Sequence, residues 1–593
     1  LFSLFKMLFA LPNREGRTRI LALLPLMGIA SLLELAGLGL LVSLVNVLLG
    51  ASEPTLGPIK WAYNFLQNFD ITKVAVFIVI FVILKNVVLI GLNYLTARIA
   101  FDAMAEFLVR LYRHYLHQPY KQYLQRNTGE FLNHLSSSAP IGFDSVRLLL
   151  ETLLELLLTA VTLSLLITTQ PKLTIIAGIF LVVIAITYHK LVSPTFRRWG
   201  AEAYGHEVSA LTLAKETFNA IKEILVYGYQ DHFVRRYGVS VFRRSRLQSL
   251  TSINLSGTRL VLESILVIGI GVFVIWADEI GASAADNAAV VSIFGIAAIR
   301  LLPSANRILA NLSELTRRTK IIELLYAEMV AADQWQDKLN TRPAAVTRSA
   351  PSDAAISLSG VSYTYPSVDK PSIEDINLVV KHGDTVGLAG SSGAGKSTTV
   401  EIILGLISPQ LGDVVVDGTR VTDINPPQKI GFVPQLVSVV DDTVRRNVAF
   451  GVEDALIDDD AVWATIESAR LTDAIRQMNA GLDTRLNEKG VRLSGGQRQR
   501  IGIARALYLD PSILILDEAT SAVDNETEAQ ITEAINAFRR KKTIIIIAHR
   551  LSTLRGCDYI LYFEAGKIGG KGSFEELIKT QPGFKRLVEL GTL

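Results

Sequence analysis

Six long apolar stretches, near residues 19–49, 72–97, 145–168, 173–192, 254–278 and 287–312, set the pattern of the first half of the chain. Each is long enough to cross ~30 Å of hydrocarbon as a helix of ~20 residues. From about Pro351 short β runs alternate with amphipathic helices, the pattern of an α/β domain. Between the two, Met329–Ala350 is polar, lacks a sustained apolar period and reads as a linker. The expected boundaries are 1–328 for the membrane domain, 329–354 for the linker and 355–593 for the α/β domain. Ahead of the first span, Leu1–Leu11 has no small-residue cleavage site after it. It reads as an amphipathic helix on the cytoplasmic membrane surface.

Composition agrees with this division. Half of the residues are hydrophobic and the mean hydropathy is +0.35, high for a soluble protein. A net charge of +3 over 593 residues gives no case for a nucleic-acid partner. The single cysteine, Cys557, excludes an internal disulfide framework and reads as a buried small side chain. Charge also orients the spans. Segments 98–140 and 190–252 are rich in Lys and Arg, whereas 50–71, 169–172 and 279–286 hold only Lys60 and Lys172. The long connections are then cytoplasmic. Arg98–Gln125 and Phe196–Phe218 read as helical extensions of the spans. The turns near Asn127–Leu135 and Ile221–Phe233 are expected to touch the α/β domain.

The chemistry is concentrated in that domain. Gly390-Ser391-Ser392-Gly393-Ala394-Gly395-Lys396-Ser397 follows the apolar run Thr385–Ala389 and fits GxxxxGK[ST]. Glycines let backbone N–H groups close around phosphate oxygens, and the following helix points its positive end at them. The phosphate-binding set is Gly390, Ser391, Gly393, Gly395, Lys396, Ser397 and Thr398, with Lys396 on the β/γ-phosphates and Ser397 on Mg²⁺. Ile513–Leu516 is an apolar strand that delivers Asp517 and Glu518 to its end. Asp517 is the natural Mg²⁺ group, and Glu518 is placed to orient or deprotonate the attacking water. Twenty residues before this strand begins, a second glycine-rich helix start, Leu493-Ser494-Gly495-Gly496-Gln497, marks a domain that caps nucleotide held by another copy.

With these motifs together the chain resembles the ATP-binding cassette superfamily, over its whole length. The resemblance implies a multi-domain protein: a six-helix transmembrane domain of the type I/type IV exporter kind plus an α/β P-loop cassette. It implies that Tyr365 stacks on adenine and that Gln435 in Phe432-Val433-Pro434-Gln435 senses Mg²⁺. Ser494, Gly495, Gly496 and Gln497 bind nucleotide across a dimer, and Asp524 in Ser521-Ala522-Val523-Asp524 links the two sites. His549 holds the γ-phosphate near Glu518, completing a catalytic set of Glu518, His549 and Gln435. The run Thr484–Gly490 departs from the usual exporter wording but keeps Glu488. One membrane domain and one cassette imply a half-transporter that works as a homodimer with ATP and Mg²⁺.

Cargo is sought in polar residues inside spans, which are costly there and functional by default. Arg300 and Arg307 share one face of the sixth span, and Arg300 lies roughly 20 Å deep at ~1.5 Å per residue from Asn287. Arg259 in the fifth span and Lys85 in the second fall at similar levels, a basic collar that Glu34 and Glu263 are able to neutralise in part. Arg300–Ile308, Leu84-Lys85-Asn86, Gly257-Thr258-Arg259 and an expected external helix at Ile59–Phe69 resemble the PglK-type flippases of lipid-linked oligosaccharides. Lys85 stands where that family is expected to carry arginine. The resemblance implies a bacterial inner-membrane flippase whose membrane-lipid cargo is a polyprenyl-diphosphate-linked glycan. The anionic headgroup would meet Lys85, Arg259, Arg300 and Arg307. An exporter of other lipids or hydrophobic drugs is the alternative transporter. An ATP-gated channel or regulatory membrane protein is the alternative outside transport.

Overall fold

The computed structural model describes residues 2–49, 71–169, 171–279, 284–340, 353–366, 368–422, 430–486, 493–518, 525–548 and 551–590. The chain divides into two compact units, Leu1–Gln118 with Gln125–Asn340, and Pro119–Leu124 with Thr341–Leu593.

Six long helices occupy the six expected positions: Arg14–Leu49, Ile71–His117, Ala139–Thr169, Pro171–Asn219, Gln230–Glu279 and Ala284–Arg317. Arg14–Gly37 and Thr72–His117 are the stretches among the described residues that are long and apolar enough to cross a membrane by themselves. Ile71–His117, Pro171–Asn219 and Gln230–Glu279 run well past their apolar segments, as the charged extensions require. One difference lies at Pro119. The second long helix ends at His117 and a short helix, Tyr120–Gln125, comes after it, so Arg98–Gln125 is not one rod. Proline lacks the N–H that would continue the ladder and disfavours helix in the residue before it. The expected turn at Asn127–Leu135 is helical too. Asn127 Oδ1 accepts from Gly129 N at 2.9 Å to start the helix Thr128–Asn133. A π-helical turn, His134–Ser138, then joins it to the third long helix.

Two further segments differ from expectation. Phe2–Ala10 is a helix, yet Leu4, Leu8 and Leu11 are buried in the core of the first unit beside Leu23, Phe107, Phe143 and Ile322. One of its faces is therefore used for packing. Helix Thr319–Asn340 runs into the expected linker, and Met329 and Ala332 are buried. The core neighbours that stabilise this turn of helix come from elsewhere in the chain, which a local apolar period does not reveal. Ile59–Phe69 lies outside the described residues.

The second unit holds two main sheets. Its strands are β1 (Ala354–Tyr363), β2 (Ile373–Lys381), β3 (Thr385–Gly390), β4 (Leu411–Val416), β5 (Thr419–Arg420) and β6 (Ile430–Val433). They continue with β7 (Asp442–Thr443), β8 (Arg485–Leu486), β9 (Ile513–Asp517), β10 (Thr543–Ile547), β11 (Tyr559–Glu564) and β12 (Lys567–Gly572). An antiparallel sheet has the order β2-β1-β4-β5, and a six-stranded sheet the order β12-β11-β3-β10-β9-β6. In the larger sheet β11, β3, β10, β9 and β6 are parallel. Ile513–Leu516 and Ile544–Ile547 are buried at every position. Continuous apolar strands are what a parallel sheet covered on both faces requires, at about 1.5–3 kcal/mol for each such side chain removed from water.

Candidate functional site

The glycine-rich loop turns β3 into the helix Lys396–Ile403. Gly390, Gly393 and Gly395 have φ values of +151°, +77° and +104°. A Cβ on Gly390 would stand 2.4 Å from the Phe563 carbonyl oxygen, and one on Gly395 2.6 Å from Ile373 Cγ2. Backbone therefore passes where any side chain would block it. Lys396 is buried, and its Nζ donates to Gly390 O at 2.7 Å and Ser391 O at 2.9 Å. Burial holds its pKa below the usual amine value, while the charges of Glu518 and Asp517 pull it back up. A buried ammonium whose hydrogen-bond acceptors are neutral carbonyls, at a helix start, suits an anion. Ser397 is exposed beside it and Thr398 is buried.

Parallel pairing brings the carboxylates to the same sheet end. Val433 of β6 registers with Leu516, and Asp517 with Ile547 of β10. The segments that leave these strands, with Gln435 and Glu518 on them, meet at the carboxyl ends, where open α/β sheets bind ligands. Gln435 Nε2 donates to Glu518 Oε2 at 2.5 Å. Glu518 has φ +50°, and its N–H donates to Ile547 O at 3.0 Å. The carboxyl end of two interior strands, β9 and β10, thus pins an otherwise unfavourable backbone, of the kind that clusters at functional sites. His549 and Asp524 lie outside the described residues.

The residues fit ATP and Mg²⁺. Among the described residues no three His, Cys, Asp or Glu side chains form a metal cage. Mg²⁺ carried on nucleotide phosphates needs only one or two protein ligands, and Ser397, Gln435 and Asp517 offer oxygen donors of the right kind.

Ser494 caps the helix Gly495–Tyr508 in a reciprocal box: its Oγ accepts from Gln497 N at 3.2 Å, and its N–H donates to Gln497 Oε1 at 2.9 Å. Ser494 and Gly495 stay exposed while Gly496 is buried. Gln499, on the same helix, donates to Pro434 O at 3.3 Å and ties this helix to the Gln435 loop. Tyr365 packs edge-to-face on Tyr363 with centroids 5.1 Å apart. Burial pushes the Tyr365 hydroxyl pKa up to about 12.

Three of the four membrane cations are ion-paired, so they do not stand as a free collar. Lys85 Nζ is 2.8 Å from Glu34, with side chains only 13% and 10% exposed. Arg259 Nε donates to Glu263 Oε1 at 2.8 Å, and Arg307 Nε is 2.7 Å from Glu155 Oε1. The Arg300 side chain lies outside the described residues. Glu155 was missed in the sequence, although a carboxylate inside an apolar span is itself a signal. Gln499, Glu401 and Gln410 were also missed, and no local pattern announces their distant partners.

Residues 21–277 match the ABC transporter transmembrane region, and residues 373–521 match the ABC transporter family. An "ATP-dependent lipid A-core flippase" of Chromobacterium violaceum is 31% identical over 487 residues, 80% of either chain. The chain belongs to the ABC transporter family. A flippase of the same description from Albidiferax ferrireducens is 30% identical over 519 residues, 86% of this chain and 88% of its own. A solved bacterial Atm1-family ABC exporter with ATP bound superposes with a TM-score of 0.74, covering 98% of this chain and 99% of its own. At 22% identity that likeness shows the fold. The protein has the make-up of an ABC exporter half-transporter, one membrane domain and one cassette, and is an ATPase whose hydrolysis is coupled to transport.

Proposed function

We propose that this ABC exporter is a lipid flippase of the bacterial inner membrane, working as a homodimer with its cassettes in the cytoplasm. Its cargo is a lipid with an anionic headgroup, and within that class a polyprenyl-diphosphate-linked oligosaccharide. The observation that carries the cargo reading is the set of arginines on the fifth and sixth long helices. Arg259 and Arg307 keep 67% and 52% of their side chains exposed despite their ion pairs. A guanidinium held through Nε still has its terminal N–H donors for a phosphate. Arg300, two helical turns before Arg307 by its spacing in the sequence, is assigned to the same set. Lys85, closed in against Glu34, belongs to packing.

In the cassette, Tyr365 supports the adenine, the loop Gly390–Thr398 wraps the phosphates, and Lys396 balances their charge. Bound Mg²⁺ would neutralise the β- and γ-oxygens, with Ser397, Gln435 and Asp517 to hold it. Glu518, held by Gln435, orients a water toward the γ-phosphorus and takes its proton as the bond to the β-phosphate breaks. His549 steadies the γ-phosphate. Ser494 and Gly496 of one copy close over the nucleotide of the other, with Gly495 and Gln497 shaping that helix start and Asp524 linking the two sites.

The relatives' description supports a second cargo, lipid A-core. Reconstituted protein tests both. ATP-dependent flipping of a polyprenyl-diphosphate oligosaccharide, lost in Arg300→Ala/Arg307→Ala with ATPase retained, is expected. Flipping of lipid A-core alone would move the protein to the second reading.

A further inference from the structure

Tyr365 is held at three points, and one of them reaches the phosphate end of the site. Its backbone is set first. Gln410 donates through Nε2 to Thr364 O at 3.0 Å and accepts from Thr364 N at 3.1 Å, so its amide acts as a strand partner for the residue before the tyrosine. Tyr365 O then accepts from Val368 N at 3.0 Å and closes a tight turn. The ring rests edge-on against Tyr363, itself buried in β1. The third point is the hydroxyl. It donates to Glu401 Oε2 at 2.7 Å and lies 3.4 Å from Thr398 Oγ1. Glu401 and Thr398 stand on the helix that the glycine-rich loop starts, Thr398 two residues after Lys396. A phenol that only stacks on a base needs no such partner, because a phenylalanine ring offers the same face.

We propose that Glu401 is a positioning residue for nucleotide binding: by accepting from Tyr365 it fixes the aromatic platform to the phosphate-binding helix, so base and phosphate subsites are preset as one rigid surface. This rests on Tyr365 being the base platform. A preset ring spends no rotamer freedom when the nucleotide arrives, which strengthens binding without touching the hydrolytic step. The network holds the plane of the ring and reads no base edge, so any purine gains equally.

The test uses the full-length protein in nanodiscs, with KM and kcat measured separately for ATP and GTP. Glu401→Ala and Tyr365→Phe should each raise KM for ATP about three- to tenfold, the worth of one lost hydrogen bond, with kcat nearly unchanged. The double variant should be no worse than either single one, and KM for GTP should rise by the same factor. Glu401→Gln keeps an acceptor oxygen and should restore the wild-type KM. Additive effects, a fall in kcat at constant KM, or no effect of Glu401→Ala overturn the proposal. Tyr365→Ala separates the two layers. If it leaves KM unchanged, the platform itself is wrong; if it raises KM while Glu401→Ala does not, only the Glu401 role fails.

Discussion

At the scale of single residues, two predictions depend on local electrostatics. Glu518 sits on Gln435 at the end of β9, so Glu518→Gln keeps the shape and removes the base. ATP hydrolysis should fall by about 10²–10⁴-fold while nucleotide binding persists, a contrast that turnover assays and equilibrium binding together will reveal. Cys557 is the second case. Burial pushes its thiol up to about 12, from an ordinary value of 9.0. Between those values the folded chain holds a proton that the unfolded chain has lost. Its contribution to stability is therefore complete below about pH 9 and declines as pH rises toward 12. The structure leaves Cys557 half-buried rather than fully buried, so at neutral pH the native thiol should alkylate more slowly than the denatured one, as mass spectrometry of iodoacetamide-treated protein will show; equal rates before and after denaturation would contradict this shielding.

At the scale of elements, the helix Gly495–Tyr508 is fitted closely to the loop after β6. A Cβ on Gly502 would lie 2.5 Å from Val437 Cγ2. Gly502→Ala should destabilise by about 1–3 kcal/mol, the usual cost of overpacking, and loosen the Gln435 loop along with it. Adding Val437→Ala should recover most of the loss in thermal unfolding. No recovery would mean that the helix and loop are not in contact. The same scale explains where the elements depart from the pattern in the sequence. Pro119 interrupts a helix that apolar spacing alone would carry through, and helix Thr319–Asn340 persists through polar sequence because Met329 and Ala332 face a core.

At the scale of the molecule, the capped helix at Ser494 gives a test of the dimer. If Ser494 serves the nucleotide of the other copy, a Lys396→Ala chain mixed with a Ser494→Arg chain makes mixed dimers with one intact site. Two inactive variants should then recover roughly a quarter of wild-type ATPase, since random mixing makes half the dimers mixed. Absence of any recovery would place the signature in its own chain's site.

The sequence alone determined the six long helices, the α/β cassette and the phosphate loop, because each rests on a short-range period or spacing. Apolar runs commit a segment to a membrane or a sheet wherever it sits, and three glycines within six residues need no distant partner to turn a loop. Only the tertiary structure decided who pairs with whom. Gln435 reaches Glu518 because β6 and β9 lie side by side, and Tyr365 reaches Glu401 because β1 is brought to the helix after β3. Glu34 and Glu263 read in the sequence as able to offset part of the collar, but that Lys85 meets Glu34 and Arg307 meets Glu155 across helix contacts was decided by packing. Charge is written in the chain, but its compensation is a property of packing.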